Sequence, residues 1–600
     1  MSDPRQPRPV RVANCSGFFG DRVSAAREQV EGGPIDVLTG DWLAELTMLI
    51  LVRQRLKKGP GSGYARTFLT QMEQVLGTCL ERGIRVVSNA GGLDPQGAAD
   101  ALREAAEQLG LSPRIAVVTG DDLTSRPELV ADAVNLSTGE KLSDLGLHPV
   151  TANAYLGAFG VAAALEAGAD VVVTGRITDA ALAVAPAIWW HGWNPDDLDA
   201  LAGAVAAGHV IECGAQACGG NFAFFTEVPD MGHLGFPIAE IAADGSSVIT
   251  KHPGTGGAVT TDTVTAQLLY EVDTPRYLGP DVVARFDSIM LEQQSPDRVR
   301  MSDVRGEAPP DTLKVAVTTL GGFRNTVGVV LTGLDRDAKA ALVLDQLEPL
   351  LSTFAQHSVQ RVPFGPEREE MRITVVDPDQ RRVGRAFSNA VIELTLASYA
   401  GFYPTAPPAD ARPYSIYWPT LVPAAEIEQV VMLDGDEVAR LSALSPVAQE
   451  SGSSAASDPS ASHQAPSAGG EASAEPTPVA ATSTTRSVPL GTIVGARSGD
   501  KGGDANIGLW VRDDAAWPWL RETVTPDRVR QWVPEASDKH VDVYELPSLR
   551  AVNVVIRGHL GRGVADGVGL DPQAKGLGEW IRAQQVDVPQ QLLSPGRAET

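Results

Sequence analysis

Four short stretches set chemically useful side chains beside glycine at the end of an apolar run: Thr39-Gly40-Asp41, Asn89-Ala90-Gly91-Gly92, Thr119-Gly120-Asp121 and Thr174-Gly175-Arg176. Glycine lets backbone approach a ligand closely. The Arg176 guanidinium suits a carboxylate or phosphate. Asp41 could carry a proton, and Asn89 with the Gly91 and Gly92 amides could stabilise an enolate oxyanion. A fifth stretch, "TKHPGTGGAVTTD", joins Lys251 and His252 to a glycine loop that feeds a helix start. There Gly256 and Gly257 could cradle an anion, Lys251 could supply the cation, and His252 could move a proton. A sixth, "GARSGDKGGDANIG", packs Arg497, Ser498, Asp500, Lys501, Asp504 and Asn506 around glycines. Six polar groups exceed what a hairpin turn requires, so Arg497 and Lys501 are read as ligand-binding. In each case turn-making and helix capping are the competing explanation.

These residues need elements to hold them. "IDVLTGDWLAELTMLILVRQRL" reads as a strand, a turn and a long helix. "GIRVVSNAGGLDPQGAADALREAAEQLG" repeats that plan, with Asp94 as N-cap and Pro95 in the first helical position. "RIAVVTGDDL" and "ADVVVTGRITDAALAVA" add two more strands. Near-continuous Val/Ile runs alternating with helices predict an α/β fold, a parallel sheet with helices on both faces. The chemical stretches then share the carboxyl edge of the sheet, where open α/β sheets bind ligands. Further on, "TLKVAVTTLGG" and "NTVGVVLTGL" read as two adjacent strands of an α+β region. The expected division is an N-terminal α/β domain at 8–264, an α+β domain at 265–444, a linker at 445–487 and a small α+β domain at 488–600. The linker rests on a Ser/Ala/Pro/Gly-rich composition without apolar periodicity.

Composition narrows the function. A formal net charge of −26 argues against nucleic-acid and anionic-membrane partners. Four cysteines in 600 residues do not make a disulfide framework, which predicts a reducing, cytoplasmic setting. The Cys213/Cys218 pair lacks a second ligand pair, so no metal is expected. Neither the P-loop pattern nor a dinucleotide-binding glycine fingerprint occurs.

The stretches "NCSGFFGDR", "GGPIDVLTGDWLAELTM", "SNAGGLDP", "TGRITDAAL", "KHPGTGGAVT" and "RSGDKGGDANIG" resemble the acyclic terpene utilisation protein family. The resemblance implies an N-terminal α/β module and a ferredoxin-like C-terminal module. It also implies a place in bacterial breakdown of acyclic terpenes or branched acids as coenzyme A thioesters. It brings no established catalytic residues. The resulting expectation is a catabolic enzyme of lyase or hydratase type, with an acyl-coenzyme A or related carboxylate as substrate and no cofactor. Its partners would be that small anion and a pathway protein or a second copy of the chain. The alternatives are a non-catalytic subunit or scaffold that docks through the Arg497–Asn506 loop, and a metal-independent phosphohydrolase.

Overall fold

The computed structural model describes residues 8–59, 61–442, 484–563, 567 and 569–593. The predicted linker lies outside the described residues as far as 483. Its last residues belong to a strand, Thr485–Pro489, paired with Gln585–Pro589.

Strands Val10–Asn14, Val37–Gly40, Arg85–Ser88, Val171–Thr174 and Ile115–Thr119 lie side by side in that order, all parallel. Alternation along the strands divides their side chains between two cores. Ala13, Leu38, Val86 and Val173 pack with Phe68, Met72 and Leu102 from helices Arg66–Arg82 and Pro95–Gln108. Val12, Val37, Val87 and Val172 face the other way, toward the apolar helices Phe159–Glu166, Ala181–His191 and Leu198–Ile211. The predicted helices on both faces are therefore present. Asp94 caps its helix as expected, accepting from Gly97 N–H at 2.9 Å, with Pro95 in the first position.

The sheet continues beyond its parallel centre and is mixed. Antiparallel strands Pro237–Ile241, Ser247–Lys251, Arg298–Ser302 and Met290–Ser295 extend one side, and Glu428–Leu433 and Asp436–Ser442 the other. The expected boundary at 264/265 thus runs between elements of one sheet. The physical reason is that a five-strand parallel core leaves two unpaired edges, and later chain covers both.

The middle region builds most of a second, five-stranded sheet, in the order Gln356–Pro363, Arg368–Asp377, Thr312–Thr332 and Arg412–Pro423, with Pro149–Ala154 also pairing antiparallel to Thr312–Thr332. The two strands read from "TLKVAVTTLGG" and "NTVGVVLTGL" are one strand, Thr312–Thr332. A bulge between Leu320 and Gly322, with Gly322 at φ 128°, bends it without ending it. The C-terminal sheet runs Val494–Lys501, Asp504–Val511, Ala551–Ile556, Val541–Leu546, all antiparallel. Among the described residues no helix is long and apolar enough to cross a membrane.

The C-terminal domain docks on its own chain. Asn553 Nδ2 donates to the carbonyls of Val272 and Asp273 at 3.1 and 2.9 Å. Arg512 pairs with Asp262 at 2.6 Å and Glu227 at 2.9 Å, and Trp510 stacks on Phe222. Gly508 is required by this approach: a Cβ there would lie 2.3 Å from the Leu269 Cβ.

Candidate functional site

Asp41 and Arg176 leave the carboxyl ends of strands Val37–Gly40 and Val171–Thr174 and come together. Both are buried. Asn89 holds the arrangement: its Nδ2 donates to Asp41 Oδ1 at 2.6 Å and its Oδ1 accepts from Trp42 N–H at 2.8 Å. Arg176 Nη1 bonds Leu43 O and Asp179 Oδ1, each at 3.1 Å. Its backbone N–H donates to Asp121 Oδ2 at 2.8 Å, as does Asn153 Nδ2. Burial pushes the Asp121 carboxyl up to about 6 despite those two donors. Burial, and then Asp179, push Asp41 well above the usual carboxylate range, against the pull of Arg176.

The Arg176 guanidinium lies over the Tyr155 ring, 4.3 Å from its centroid, and Lys314 Nζ approaches the same ring at 4.9 Å. Opposite them runs helix Leu198–Ile211, with His209 near its end and Glu212 just past it. His209 Nδ1 is 3.2 Å from Glu212 Oε1, and its ring packs against Tyr277 and Phe286 with centroids 5.0 and 5.4 Å away. Glu212 Oε2 has no hydrogen-bond partner among the described residues, although both side chains are buried. Burial drives Glu212 well up, and Asp179 and Glu271 push the same way, so its neutral acid form is favoured. Burial, and then Lys501, bring His209 down to about 4, so its ring is neutral at neutral pH.

The C-terminal hairpin closes this cluster. Strands Val494–Lys501 and Asp504–Val511 turn through Gly502-Gly503, with Lys501 opposite Asp504. Arg497, Gly499 and Lys501 alternate onto one face. Arg497 stacks 4.0 Å above the Tyr270 ring and donates to Gln216 Oε1, leaving its buried Nε without a partner. A Cβ on Gly499 would lie 2.4 Å from the Tyr270 ring, so only glycine fits there. Lys501 Nζ sits 5.6 Å from the centre of Tyr277. Burial, and then the Lys314 charge, hold its ammonium below the ordinary lysine range. Between Tyr270 and Tyr277, Glu271 has φ 57°, a left-handed conformation that costs a side-chain-bearing residue energy.

Of the predicted residues, the structure brings together Asp41, Asn89, Arg176, Arg497 and Lys501. Asn89 serves as a support for Asp41. Gly91 and Gly92 shape the turn: a Cβ on Gly91 would lie 2.4 Å from Thr174 O, and Gly92 N–H donates to Asn89 O. The glycine loop after Ser247–Lys251 lies apart, three strand positions from Val37–Gly40. Lys251 pairs with Asp297 at 3.1 Å and donates to Thr255 O at 2.8 Å. His252 Nε2 donates to Gln29 O at 2.9 Å. Gly256 and Gly257 amides donate to the carbonyls of His233 and Pro229. Lys251 Nζ, His252 Nε2 and the Gly256 and Gly257 amides of the expected anion cradle thus all have partners within the protein.

Sequence reasoning missed Tyr155, Asp179, His209, Glu212, Tyr270, Glu271, Tyr277 and Lys314. Two signals were present: Asp179 stands three residues after Arg176, and His209-x-x-Glu212 has the spacing of one helix face. Cys213, also in the cluster, has its thiol pushed well up by burial and then by Glu212, the reverse of a nucleophile's environment.

A separate cavity of about 570 Å³ is lined by Phe159, Trp189, Trp193 and Leu313. Leu313 faces it while the next residue, Lys314, faces Tyr155. Cavity and charged cluster therefore occupy opposite faces of the Thr312–Thr332 strand.

Residues 10–433 match the model of the acyclic terpene utilisation family protein AtuA, and residues 488–587 match the AtuA ferredoxin-like domain. Neither a curated protein nor a solved structure matches the chain.

Proposed function

Because the chain belongs to the acyclic terpene utilisation family, we propose that it is a catabolic enzyme acting on an acyl-coenzyme A or related carboxylate. The reaction is of lyase or hydratase type, and it takes place where the Arg497–Lys501 hairpin meets the carboxyl edge of the parallel sheet. The observation that carries this reading is Glu212. A buried carboxyl with an unpartnered oxygen, kept in its acid form and within the field of Lys501 and Arg176, is a proton donor waiting for an acceptor. Arg497 offers a buried, unpartnered N–H to an anionic substrate group. Asp41, fixed by Asn89 and Arg176, is the second proton carrier. A lyase or hydratase needs such an arrangement: one group to take or give a proton beside a carbonyl, and cations to hold the charge that develops.

The scaffold reading has less support. The stretch that would dock a partner turns inward: Arg497 meets Gln216 and Tyr270, Asp504 pairs with Arg557 at 3.0 Å, and Asn506 bonds Asn553.

The test is a thermal-shift panel of acyl-coenzyme A thioesters and free branched acids on the full chain. A ligand that raises the melting temperature should lose that effect in Arg497→Met and keep it in Lys251→Met. An unchanged shift in Arg497→Met would place the ligand elsewhere.

A further inference from the structure

We propose that Lys501 is a carbonyl-capturing amine, forming an imine with the aldehyde or ketone group of a small oxo acid bound at the junction proposed above as the ligand cleft, where the Arg497–Lys501 hairpin meets the carboxyl edge of the parallel sheet. The proposal rests on the cleft being the ligand site and adds to it a covalent role.

The geometry distinguishes Lys501 from the other lysines of the region. Among the described residues no carboxylate pairs with its Nζ and no group hydrogen-bonds it; its tip lies over the Tyr277 ring at 5.6 Å. Lys575, by contrast, donates to the Tyr270 hydroxyl at 2.7 Å. The lysine stands at the end of a hairpin strand, registered against Asp504 across a two-residue turn, so its backbone is held. Gly502 packs toward Tyr417, 3.8 Å from a Cβ placed on it, and Lys314 Nζ approaches the same ring at 5.8 Å. A second cation thus stands beside Lys501. Burial, and then the neighbouring Lys314 charge, shift Lys501 toward its neutral amine, the form that attacks carbonyl carbon, against the opposing pull of Glu271, Asp273 and Asp179. On the same strand face, Arg497 points toward Tyr270 with its Nε unpartnered, ready for the carboxylate of the same substrate.

The second requirement is an acid. The Nζ lone pair forms the C–N bond, and one nitrogen proton passes to the former carbonyl oxygen. The C–O bond then breaks as that oxygen takes a proton from the Glu212 carboxyl and leaves as water. What remains is a protonated imine beside the Glu212 carboxylate. No oxidant, reductant or further reactant enters. A protonated imine accepts the electron pair of a neighbouring bond, which is what a carbon–carbon lyase needs of its site.

The experiment incubates the full chain with glyoxylate, acetoacetate or 4-oxopentanoate in the presence of sodium borohydride, then maps peptides by mass spectrometry. The expected result is a reduced adduct on Lys501 that Lys501→Arg abolishes and Glu212→Gln slows at least tenfold. In parallel, the pH dependence of Lys501 labelling by trinitrobenzenesulfonate should reach half-maximum at lower pH than that of surface lysines. Adducts only at other lysines, or Lys501 labelling like a surface lysine, overturns the proposal. If an oxo acid raises the melting temperature through Arg497 yet leaves Lys501 unmodified, the imine falls and the cleft stands as a binding site. If Arg497→Met leaves every such shift intact, it is the cleft reading that falls.

Discussion

Two regions of this molecule carry the same residue types and end differently. The loop after Ser247–Lys251 holds a lysine, a histidine and paired glycines; so, between them, do the hairpin of Arg497–Lys501 and the helix end at His209–Glu212. In the first region the candidate groups are answered: Lys251 by Asp297 and Thr255, His252 Nε2 by Gln29, the Gly256 and Gly257 amides by carbonyls. In the second, Glu212 Oε2 and Arg497 Nε are buried without a hydrogen-bond partner among the described residues. Folding strongly disfavours such orphans. Under the function proposed above, an anionic ligand at the domain junction would supply the missing bonds. Residue type and glycine content do not decide which polar groups find partners; the neighbours that the fold delivers do.

The comparison can be broken most forcefully at the junction. Gly499→Val puts side-chain atoms into the Tyr270 ring, so the hairpin should lift away from the cleft. Ligand-induced stabilisation should fall by at least a hundredfold in apparent affinity, read by calorimetry. Hydrogen exchange should rise at residues 270–277 while the 504–511 strand stays protected.

Glu212→Gln keeps the shape and removes the proton. Turnover should fall by about 10²–10⁴-fold, the usual worth of a positioned acid. Stability should move the other way. The folded carboxyl titrates above its unfolded value, so its contribution is complete below pH 4.5 and is lost as pH rises toward the folded value. Denaturant titrations should therefore find the Gln variant as stable as wild type or more so at pH 8.

His209→Phe tests the neutral ring. The folded value of about 4 lies below the ordinary 6.5, so the unfolded chain binds the extra proton between them. Wild-type stability should fall as pH drops from 6.5 to 4, by up to about 3 kcal/mol. The Phe variant should lose that part of the slope in melts across this range.

The smallest effect belongs to the satisfied loop. Lys251→Met removes an ion pair whose partner Asp297 is 37% exposed and can turn to water. It should cost about 1–2 kcal/mol in urea denaturation and leave ligand affinity within about twofold of wild type, well under the tenfold that about 1.4 kcal/mol is worth. A large affinity loss here would put the glycine loop back into the site.

Much of the frame was legible in the residues. The Val/Ile runs and their glycine stops announce the parallel strands, because a strand buried on both faces must be apolar throughout. Asp94-Pro95 announces a helix start, since cap and first-turn geometry are local. The rim shared by Asp41, Asn89 and Arg176 follows from strand direction alone. The mixed edges of the sheet were not legible: Glu428–Leu433 pairs with Ile115–Thr119 across some three hundred residues, and nothing in either segment encodes the other. The long strand Thr312–Thr332 was read as two because its Gly321-Gly322 bulge imitates a turn.

What the amino-acid sequence determined by itself was therefore everything of short range: which segments are strands, which turns glycine permits, and which polar side chains stand at strand ends. Only the tertiary structure decided which of those polar groups acquire partners. Asp297 pairs with Lys251, while the hairpin brings Lys501 over the Tyr277 ring, where among the described residues no carboxylate forms an ion pair with it. Periodicity and capping act over a few residues. Ion pairing and burial depend on neighbours that the chain delivers from far along the sequence, and it is these neighbours that decide which lysine is tied into an ion pair.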